Sequence, residues 1–357
     1  MQADVKLLSD LVGIPSVSGT EETIARFVEQ AAAGWGLDVL RDDTSVRVEV
    51  AGAGPGPTLA LVSHLDTVPP GAGWTRDPFA PTIEGNRLYG RGAGDAKASV
   101  ASMLLAARDL AERGRPDAGR VLVVLGYGEE TRHTSMERAV ELIGAVDAAV
   151  IGEPTNLEIA VAQRGLMMVD LVARGEQGHA AYAHGNGEAP VNAAVALARD
   201  LIKLESLFAD RVHPVLGKVT ATPTMLEAGI SRNVTPPVAR AVLDVRSTPA
   251  WSHDEIVQRL RESLGSEVVV TSQRLVPCET PEGSRLLAAA ARVRPSARRF
   301  GSPTCSDWVF LRHTDAIKCG PGTSRRSHTP DECVDLPELS AARAFYADLA
   351  REYLGAT

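Results

Sequence analysis

Short apolar segments alternate with helical stretches in the first half of the chain, and this alternation restricts the fold more than any other feature. The apolar segments are residues 59–63, 121–126 and 148–152, and the helical stretches between them are residues 96–112 and 135–143. Strands that alternate with helices predict an α/β fold in which a mixed, mostly parallel sheet is flanked by helices. A further amphipathic helix begins after Thr20, which we expect to be its N-cap.

Each of the three predicted strands is followed by acidic or imidazole side chains. His64 and Asp66 follow the first strand, Glu129 and Glu130 follow the second, and Glu153 follows the third. Open α/β sheets bind their ligands outside the carboxyl ends of the strands, so we expect the three clusters to meet in one crevice.

The pattern of elements changes in the middle of the chain. From about residue 163 the predicted order is β-α-β-β-α-β, with helices at 189–204 and 252–264, which indicates an inserted domain of the split βαβ kind. A chain of 357 residues also exceeds the size at which one core usually stops growing. We therefore expect one domain made of residues 1–162 and 278–357 and a second made of residues 163–277.

Composition and charge oppose several classes of function. The net charge of −8 opposes binding to nucleic acid, which relies on Lys and Arg, and no apolar run predicts a signal peptide or a membrane span. The four cysteines form no CxxC pair, so we expect free thiols, a reducing compartment and a cytoplasmic location.

The acidic and imidazole residues at the strand ends are side chains that bind zinc or cobalt. Neutral imidazole and carboxylate are favoured ligands of these metals, and burial of such groups singly would be costly. The candidate ligands are His64, Asp95, Glu130, Glu153 and His328. The adjacent acids Glu129 and Glu130 repel each other unless a cation or a proton separates them, which favours one ligand and one proton carrier.

Glycines at positions 90, 92 and 94 precede Asp95 and a predicted helix. Glycine allows backbone conformations that are closed to other residues, so this loop can bring the Asp95 carboxylate into a tight centre. A phosphate-binding loop is the alternative interpretation. The segment fits neither GxGxxG nor the Walker pattern, however, and the Asp95 carboxylate would repel a phosphate.

Each cluster also has an interpretation without metal. His64 and Asp66 fit a solvated turn, Glu129 and Glu130 fit the acid-rich first turn of a helix, and His328 fits an exposed loop. The metal-centre hypothesis therefore depends on the combination of the clusters.

The sequence motifs form a specific set when they are taken in chain order. They are HLDTVP, GRGAGDAK, GEE, GEPTN, the GHAA of the inserted segment, and GPG followed by HTPDE. In order and approximate spacing they resemble the metallopeptidase family that contains acetylornithine deacetylase, succinyl-diaminopimelate desuccinylase and carboxypeptidase G. The resemblance covers essentially the whole chain. It implies a two-metal amidohydrolase, with zinc or cobalt, that has a catalytic domain and a lid domain and forms a homodimer.

The resemblance also implies a role for each matching residue of the catalytic domain. Asp95 would bridge the two metals, His64 and Glu153 would complete one site, and Glu130 and His328 would complete the other. Asp66 would tune the site, and Glu129 would be the general base.

Three residues of the inserted domain match substrate-contacting positions of the family. His179 would donate to the substrate carbonyl or its oxyanion, across a dimer, and Asn233 and Arg246 would hold a substrate carboxylate. From the sequence alone, Arg246 also fits a surface charge on an edge strand. The chain departs from many relatives at Ala96 and Ala98, and it reads PTCSD at residues 303–307 where relatives often read GTSD.

Within the family, the short length and the motifs GEPTN and HTPDE most resemble the acetyl-lysine and acetylornithine deacetylases. That branch also releases lysine or ornithine from an acidic amino-group carrier protein. Residues 285–326 contain eight Arg and one Lys against two Asp, and a basic patch of this kind would attract such a carrier. The alternative is that these arginines pair locally.

The predicted function is release of lysine or ornithine from an N-acyl or carrier-linked precursor in lysine or arginine biosynthesis. Metal-activated water would hydrolyse the amide, with Glu129 as the general base. Two alternatives stay open: a dipeptidase or carboxypeptidase of the same fold, and a catalytically silent, metal-containing binding protein. A serine hydrolase is disfavoured because the sequence has no GxSxG motif.

Overall fold

The computed structural model describes residues 2–183 and 191–355, and its helices follow the apolar periodicity of the sequence. The helices are α1 (Gln2–Val12), α2 (Glu22–Gly34), α3 (Lys97–Arg113), α4 (Thr134–Ile143), α5 (Ala193–Lys203), α6 (His253–Ser263), α7 (Arg285–Val293) and α8 (Leu336–Gly355). The helices predicted at 96–112, 135–143 and 252–264 correspond to α3, α4 and α6. Residues 189 and 190, where another helix was predicted to begin, lie outside the described residues.

The strands of the described residues are mostly short. They are β1 (Asp38–Arg41), β2 (Ser45–Ala51), β3 (Thr58–His64), β4 (Thr82–Glu84), β5 (Arg87–Tyr89), β6 (Arg120–Gly126), β7 (Ala148–Ile151), β8 (Ile159–Gln163), β9 (Gly165–Arg174), β10 (Gly178–His179), β11 (Thr220–Ala228), β12 (Val234–Thr235), β13 (Val238–Ser247), β14 (Glu267–Leu275), β15 (Cys278–Glu279), β16 (Arg299–Ser302), β17 (Asp315–Lys318) and β18 (Cys333–Asp335).

The chain divides into two compact units. The first contains Met1–Val161, Glu279–Phe300 and Ser306–Thr357, and the second contains Ala162–Cys278 and Gly301–Cys305. The segment Gly301–Cys305 groups with the second unit, although residues 278–357 were predicted to belong to the first. One reason is that the Ser302 carbonyl accepts the backbone N–H of Arg164 at 3.1 Å within the second unit.

A nine-stranded mixed sheet, as far as the described residues go, organises the first unit. Its order is β1-β2-β6-β3-β7-β17-β8-β15, and β16 pairs with β8. The four central strands β6, β3, β7 and β17 pair in parallel, whereas β2 pairs with both β1 and β6 in antiparallel fashion. The predicted α/β class is confirmed, with the parallel pairing at the centre of the sheet and antiparallel pairing towards its edges.

The core of the first unit is built on segments that are buried on nearly all sides. Every residue of β3 is buried, as expected for a central strand of a parallel sheet that is covered on both faces. Nearly all of α3 from Lys97 to Leu110 is buried, because its many Ala and Ser residues let the helix pack closely against α1 and α8.

The second unit has its own antiparallel sheet of order β11-β13-β9-β14. Alternate residues of β9, including Met167, Val169 and Leu171, face a separate core to which α5 and α6 also contribute. The main elements occur in the predicted order β-α-β-β-α-β. Ser252 caps α6 in a capping box with Glu255, which explains the start of that helix.

The chain leaves the first unit within β8, after Val161, and returns to it at Glu279 of β15. These two strands are neighbours in the nine-stranded sheet. Within the first unit, the backbone N–H of Thr280 donates to the Val161 carbonyl at 2.8 Å. The exit and the return of the chain are therefore hydrogen bonded to each other.

Two local predictions have clear outcomes. Thr20 is not the N-cap of α2, because its hydroxyl donates to the Val17 carbonyl at 2.6 Å and the helix begins after Glu21. All four cysteines are free thiols, as expected.

None of the helices in residues 2–183 and 191–355 combines the length and apolar character that a membrane crossing requires.

Candidate metal centre

The carboxyl ends of the parallel strands bring the predicted ligands to one edge of the sheet. His64 is the last residue of β3, Glu130 follows β6, Glu153 follows β7, and the loop of His328 follows β17. Because these strands are mutually parallel, their carboxyl ends meet at the same edge. Asp95 reaches this edge from the loop that precedes α3.

Asp95 lies at the centre of the cluster, and its two carboxylate oxygens face different histidines. Its Oδ1 is 3.3 Å from His64 Nε2, and its Oδ2 is 3.8 Å from His328 Nε2. Glu153 lies on the His64 side, with an oxygen 3.7 Å from Nε2, and Glu130 lies on the His328 side at 2.9 Å. The five predicted ligands are thus brought together in two groups that share Asp95, and their assignment as ligands stays a prediction.

His64 is fully enclosed by acceptors. Its Nδ1 is 3.0 Å from the Asp66 carbonyl, a contact that favours the proton on Nδ1 and leaves Nε2 free to act as a ligand. Burial opposes protonation, but hydrogen bonds with Asp66 and Asp95 outweigh it and raise the pKa of His64 well above its ordinary value. These contacts orient the His64 ring, and a cation bound at Nε2 would displace the second proton of the imidazole.

The Asp66 carboxylate holds the loop that carries the two adjacent glutamates. Its Oδ1 accepts the backbone N–H of Glu129 at 3.0 Å, and its Oδ2 accepts that of Glu130 at 3.1 Å. The Ser18 hydroxyl donates to the same Oδ2 at 2.6 Å. Burial alone would raise the pKa of Asp66, but the contact with His64 and these hydrogen bonds lower it, so the carboxylate stays ionised.

Glu129 stands beside the predicted ligands in a buried position. Burial raises the pKa of its carboxyl group well above the ordinary value, opposed by His64 and reinforced by Glu153, Asp307 and Glu130. A carboxylate with a raised pKa accepts a proton more readily than an exposed one, which suits a general base.

A second carboxylate, Glu332, fixes the glycine-rich loop from behind. Its Oε1 accepts the backbone N–H groups of Gly94 and Asp95, both at 2.9 Å, and its Oε2 accepts that of Gly92 at 3.1 Å. The Arg91 guanidinium donates to the same Oε2 at 2.5 Å. Gly92 has φ = +80°, and a Cβ there would lie 2.7 Å from the Thr67 side chain, so this loop requires glycine.

Lys97 lies two residues after Asp95 and is completely buried. Its Nζ donates to the carbonyls of Leu11 and Ile14 at 3.0 and 2.8 Å, at the end of α1 and just beyond it. Burial lowers the pKa of this amine to about 7. Lys97 thereby ties the start of α3 to the N-terminal helix.

The three predicted substrate residues lie in the second unit. His179 is exposed, and its Nδ1 accepts the backbone N–H of Ala181 at 3.1 Å. Asn233 is also exposed, and its backbone carbonyl accepts the backbone N–H of Ala180. The Arg246 guanidinium pairs through two hydrogen bonds with Asp244 on the same strand, at 2.7 and 3.0 Å. The roles of these three residues stay predictions.

The donor set of the first unit fits divalent cations such as zinc or cobalt. One nitrogen or oxygen atom from each of His64, Asp95 and Glu130 lies within 4.8 Å of the others, a grouping that can hold an ion. Burial and the neighbouring Asp95 carboxylate raise the pKa of Glu153 to about 8. A bound cation would stabilise the ionised form that burial and like charge disfavour.

Sequence reasoning gave no role to three residues that shape the site. Ser18 and Glu332 act through hydrogen bonds to residues far away in the chain, and Lys97 acts through two backbone carbonyls. The one available signal was the proximity of Glu332 and Lys97 to the candidate ligands in the motifs HTPDE and GDAK.

Comparison with known proteins places the chain in a family. The model of peptidase family M20/M25/M40 matches residues 60–352. A succinyl-diaminopimelate desuccinylase of Cereibacter sphaeroides is 30% identical over 385 residues, covering 98% of each chain. Aminopeptidase PepT from Bacillus cereus has a TM-score of 0.82 with 20% identity, covering 99% of this chain and 98% of that chain. A dinuclear metal binding peptidase of Bacillus subtilis has a TM-score of 0.78 with 18% identity, covering 100% and 99%.

The two structural similarities show that the fold is shared, and the desuccinylase and the family model extend the similarity to the sequence. The family expected from the motifs is confirmed. The chain is a hydrolase that belongs to peptidase family M20/M25/M40.

Proposed function

We propose that this protein hydrolyses the amide bond of an N-acyl amino acid with the help of two divalent cations. The observation that carries the proposal is the position of Asp95, whose two oxygens face His64 and His328 while Glu129 lies beside the same cluster. Amide hydrolysis requires activation of water, polarisation of a carbonyl and protonation of a departing amine, and this set of groups can supply each of them.

The side chains that would hold the cations are those predicted from the sequence. Asp95, His64 and Glu153 would hold one cation, and Asp95, Glu130 and His328 would hold the other. When bound, divalent cations polarise carbonyl oxygens and lower the pKa of water. Zinc and cobalt are the candidates that suit imidazole and carboxylate ligands.

Glu129 moves the proton in the proposed reaction. The oxygen of water forms a bond to the carbonyl carbon as Glu129 takes one proton from that water. The bond between carbon and nitrogen then breaks, and Glu129 returns the proton to the departing amine. The Asp66 carboxylate accepts the backbone N–H groups of Glu129 and Glu130 and thereby holds the loop that carries both residues in place.

The substrate class is proposed from chemistry and from the named relative. The relative from Cereibacter sphaeroides is a succinyl-diaminopimelate desuccinylase, which supports an N-acyl amino acid of the lysine pathway as substrate. We propose that Arg246 and Asn233 bind a substrate carboxylate, since a guanidinium fork matches it, and that His179 donates to the carbonyl oxygen. Release of lysine or ornithine from an acetylated or carrier-linked precursor is the narrower proposal.

A substrate panel tests the proposed function. The metal-free protein is reconstituted with zinc or with cobalt and offered succinyl-diaminopimelate, acetyl-lysine, acetylornithine, a carrier-linked lysine and plain dipeptides. Metal-dependent cleavage of one or more N-acyl amino acids is expected. Cleavage of the dipeptides alone would instead identify a peptidase, and no cleavage of any substrate would support a binding protein.

A second copy of the chain is a proposed partner, and the edge strand β11 supports it. Met225 and Leu226 on this strand are 56% and 63% exposed, and Ile202 at the end of α5 is 76% exposed. An edge strand leaves backbone N–H and carbonyl groups unpaired, and exposed apolar side chains on it favour pairing with another chain. Leu226→Lys is expected to shift the molar mass in light scattering from dimer to monomer, whereas Ile83→Lys, at an exposed site of the first unit, is the control.

An acidic carrier protein is a further proposed partner, and the basic segment 285–326 is its proposed site. Some of its charges are engaged locally, because Arg292 pairs with Glu352, Arg326 pairs with Asp335, and Lys318 is buried. Neutralising Arg298, Arg299, Arg325 and Arg326 should slow turnover of a carrier-linked substrate and leave a small acetyl-amino acid unaffected. Equal effects on the two substrates would refute this partner.

A further inference from the structure

A buried histidine and a buried aspartate lie directly beside Glu129. His133 Nδ1 is 2.9 Å from Asp307 Oδ1 and 3.6 Å from Glu129 Oε1. The side chains of His133, Asp307 and Glu129 are 11%, 4% and 9% exposed, so this group is largely shielded from water. One imidazole nitrogen therefore faces two carboxylates, and one of these belongs to the proposed general base.

The local backbone brings His133 to this position. The Gly128 carbonyl accepts the backbone N–H groups of Thr131, Arg132 and His133, which closes a tight turn after Glu129. His133 has φ = +54°, and α4 begins at the next residue. Because the turn reverses the chain, residues four apart come to the same side of it.

Asp307 contacts the same imidazole nitrogen that faces Glu129. It is the first residue of a short 3₁₀ helix, Asp307–Leu311, in which Trp308 is completely buried. The Phe310 ring from the same helix lies 6.3 Å from the His133 ring. The helix is thus anchored in the core, and its first carboxylate has a fixed place from which to orient His133.

The chemistry of the three groups explains what His133 contributes. Two carboxylates at short range repel each other, and those of Glu129 and Asp307 both lie within 3.6 Å of the same imidazole nitrogen. A ring N–H between them relieves this repulsion. The shorter contact places that N–H towards Asp307, and the Glu129 carboxylate lies 3.6 Å from the same nitrogen. Asp66 accepts only the main-chain N–H of Glu129, whereas His133 lies beside its carboxylate.

We propose that His133, oriented by Asp307, is a positioning residue for the general base Glu129. This inference rests on the proposed function, because it requires Glu129 to carry the proton. His133 is not proposed as a ligand of the two cations. Its effect is to hold the Glu129 carboxylate in the orientation from which the proton transfer occurs.

The test uses four variants of the full chain, each loaded with cobalt. His133→Ala is expected to lower kcat by about 10- to 100-fold while KM changes by less than about 2-fold, since a misplaced catalytic group is costly. His133→Asn places an amide N–H where Nδ1 stands and is expected to keep most of kcat. Asp307→Ala should resemble His133→Ala, and the double variant should be no slower than either, because the two residues act through one another.

Two further measurements separate positioning from a general loss of structure. The cobalt absorption spectrum and a stoichiometry of two ions per chain should be unchanged in His133→Ala. In the metal-free protein with ¹⁵N-labelled histidine, the ring resonances of His133 should shift in Glu129→Gln. His213→Ala, which removes a buried histidine of the second unit that accepts the N–H of Leu216, is the matched control and should leave kcat unchanged.

The outcomes also separate this proposal from the proposed function. Failure of the wild type to cleave any substrate of the panel would overturn the proposed function. Full activity of Glu129→Gln would leave hydrolysis in place but overturn the assignment of the general base, and with it the role of His133. An inactive Glu129→Gln together with a fully active His133→Ala would overturn only the role of His133. A third cobalt ion that is lost in His133→Ala would show a cation site at Glu129, His133 and Asp307, and positioning would be refuted.

Discussion

The carboxylate of Glu332 lies 2.9 Å from the backbone nitrogen of Asp95 and accepts its N–H. Glu332 is four residues from His328, so a single buried side chain connects the loop of one predicted ligand to the backbone of another. Arg91 balances its charge at 2.5 Å, and both side chains of this pair are 1% exposed. The two loops are therefore fixed relative to each other by contacts within the protein.

Removal of the Glu332 carboxylate should strongly destabilise the protein. In Glu332→Ala the guanidinium of Arg91 is left buried without its carboxylate, and loss of one partner of such a pair costs about 3 to 5 kcal/mol. The free energy of unfolding in urea, measured on the metal-free protein, checks this value.

The exposed pair between Arg174 and Glu267 provides the control for Glu332. Glu267→Ala should cost less than about 1 kcal/mol, because water solvates both partners of an exposed pair. Equal losses of stability in Glu332→Ala and Glu267→Ala would mean that the buried carboxylate does not hold the glycine-rich loop.

Glu129→Gln should abolish most of the activity without loss of bound metal. The amide keeps the shape of the side chain but cannot accept the proton, so kcat should fall by about 10²- to 10⁴-fold. Metal content by elemental analysis should stay equal to that of the wild type. Glu141→Gln, at an exposed position of α4, is the control and should behave as the wild type in both assays.

Lys97 should make stability depend on pH above neutrality. Burial lowers the pKa of its amine to about 7 in the folded protein from its ordinary value of 10.5. Between these values the unfolded chain binds more protons than the folded one, so the free energy of unfolding gains up to about 1.4 kcal/mol per pH unit from this group. The gain is complete above pH 10.5 and absent below pH 7.

The comparison of unfolding curves between pH 7 and pH 10 tests this prediction. In Lys97→Met the free energy of unfolding should no longer show the rise with pH that Lys97 contributes. Lys6→Met, at an exposed site, should keep this rise. The measurement uses chelator to keep the protein free of metal. Parallel curves for the wild type and Lys97→Met would show that the buried amine has an ordinary pKa.

Chelation should destabilise the folded protein, because the predicted ligands are acids and imidazoles packed at short range. A ligand that binds only the folded state at 100 times its Kd stabilises it by about 2.7 kcal/mol per site. We expect the melting temperature in calorimetry to fall after chelation and to recover when zinc or cobalt is added. His328→Ala should bind fewer cations than the wild type by titration calorimetry, and an unchanged melting temperature after chelation would contradict a metal centre.

The sequence predicted the part of the site that depends on strand order. His64, Glu130 and Glu153 follow strands that alternate with helices, and parallel strands bring their carboxyl ends to one edge whatever the details of packing. Apolar runs and periodicity were sufficient to find those strands and α3. This part of the prediction depends on local patterns that the chain carries within a few residues.

Partners chosen by tertiary packing could not be predicted in the same way. The acid Glu332 was visible in HTPDE, but nothing near it in the sequence indicates that it accepts N–H groups some 240 residues away. Thr20 has the residue type of an N-cap, yet its hydroxyl bonds to Val17 instead. A hydroxyl or carboxylate has several partners available locally, and only the folded chain decides among them.

The hydrogen bond between Thr280 and Val161 has a consequence for how such a gene can change. The main segment of the second unit, Ala162–Cys278, begins and ends at neighbouring strands, so the first unit needs only a short bridge between these two points. A recombination event can therefore add, delete or exchange a whole sheet with its helices at one location. The order and the connections of the strands that carry the predicted ligands stay the same.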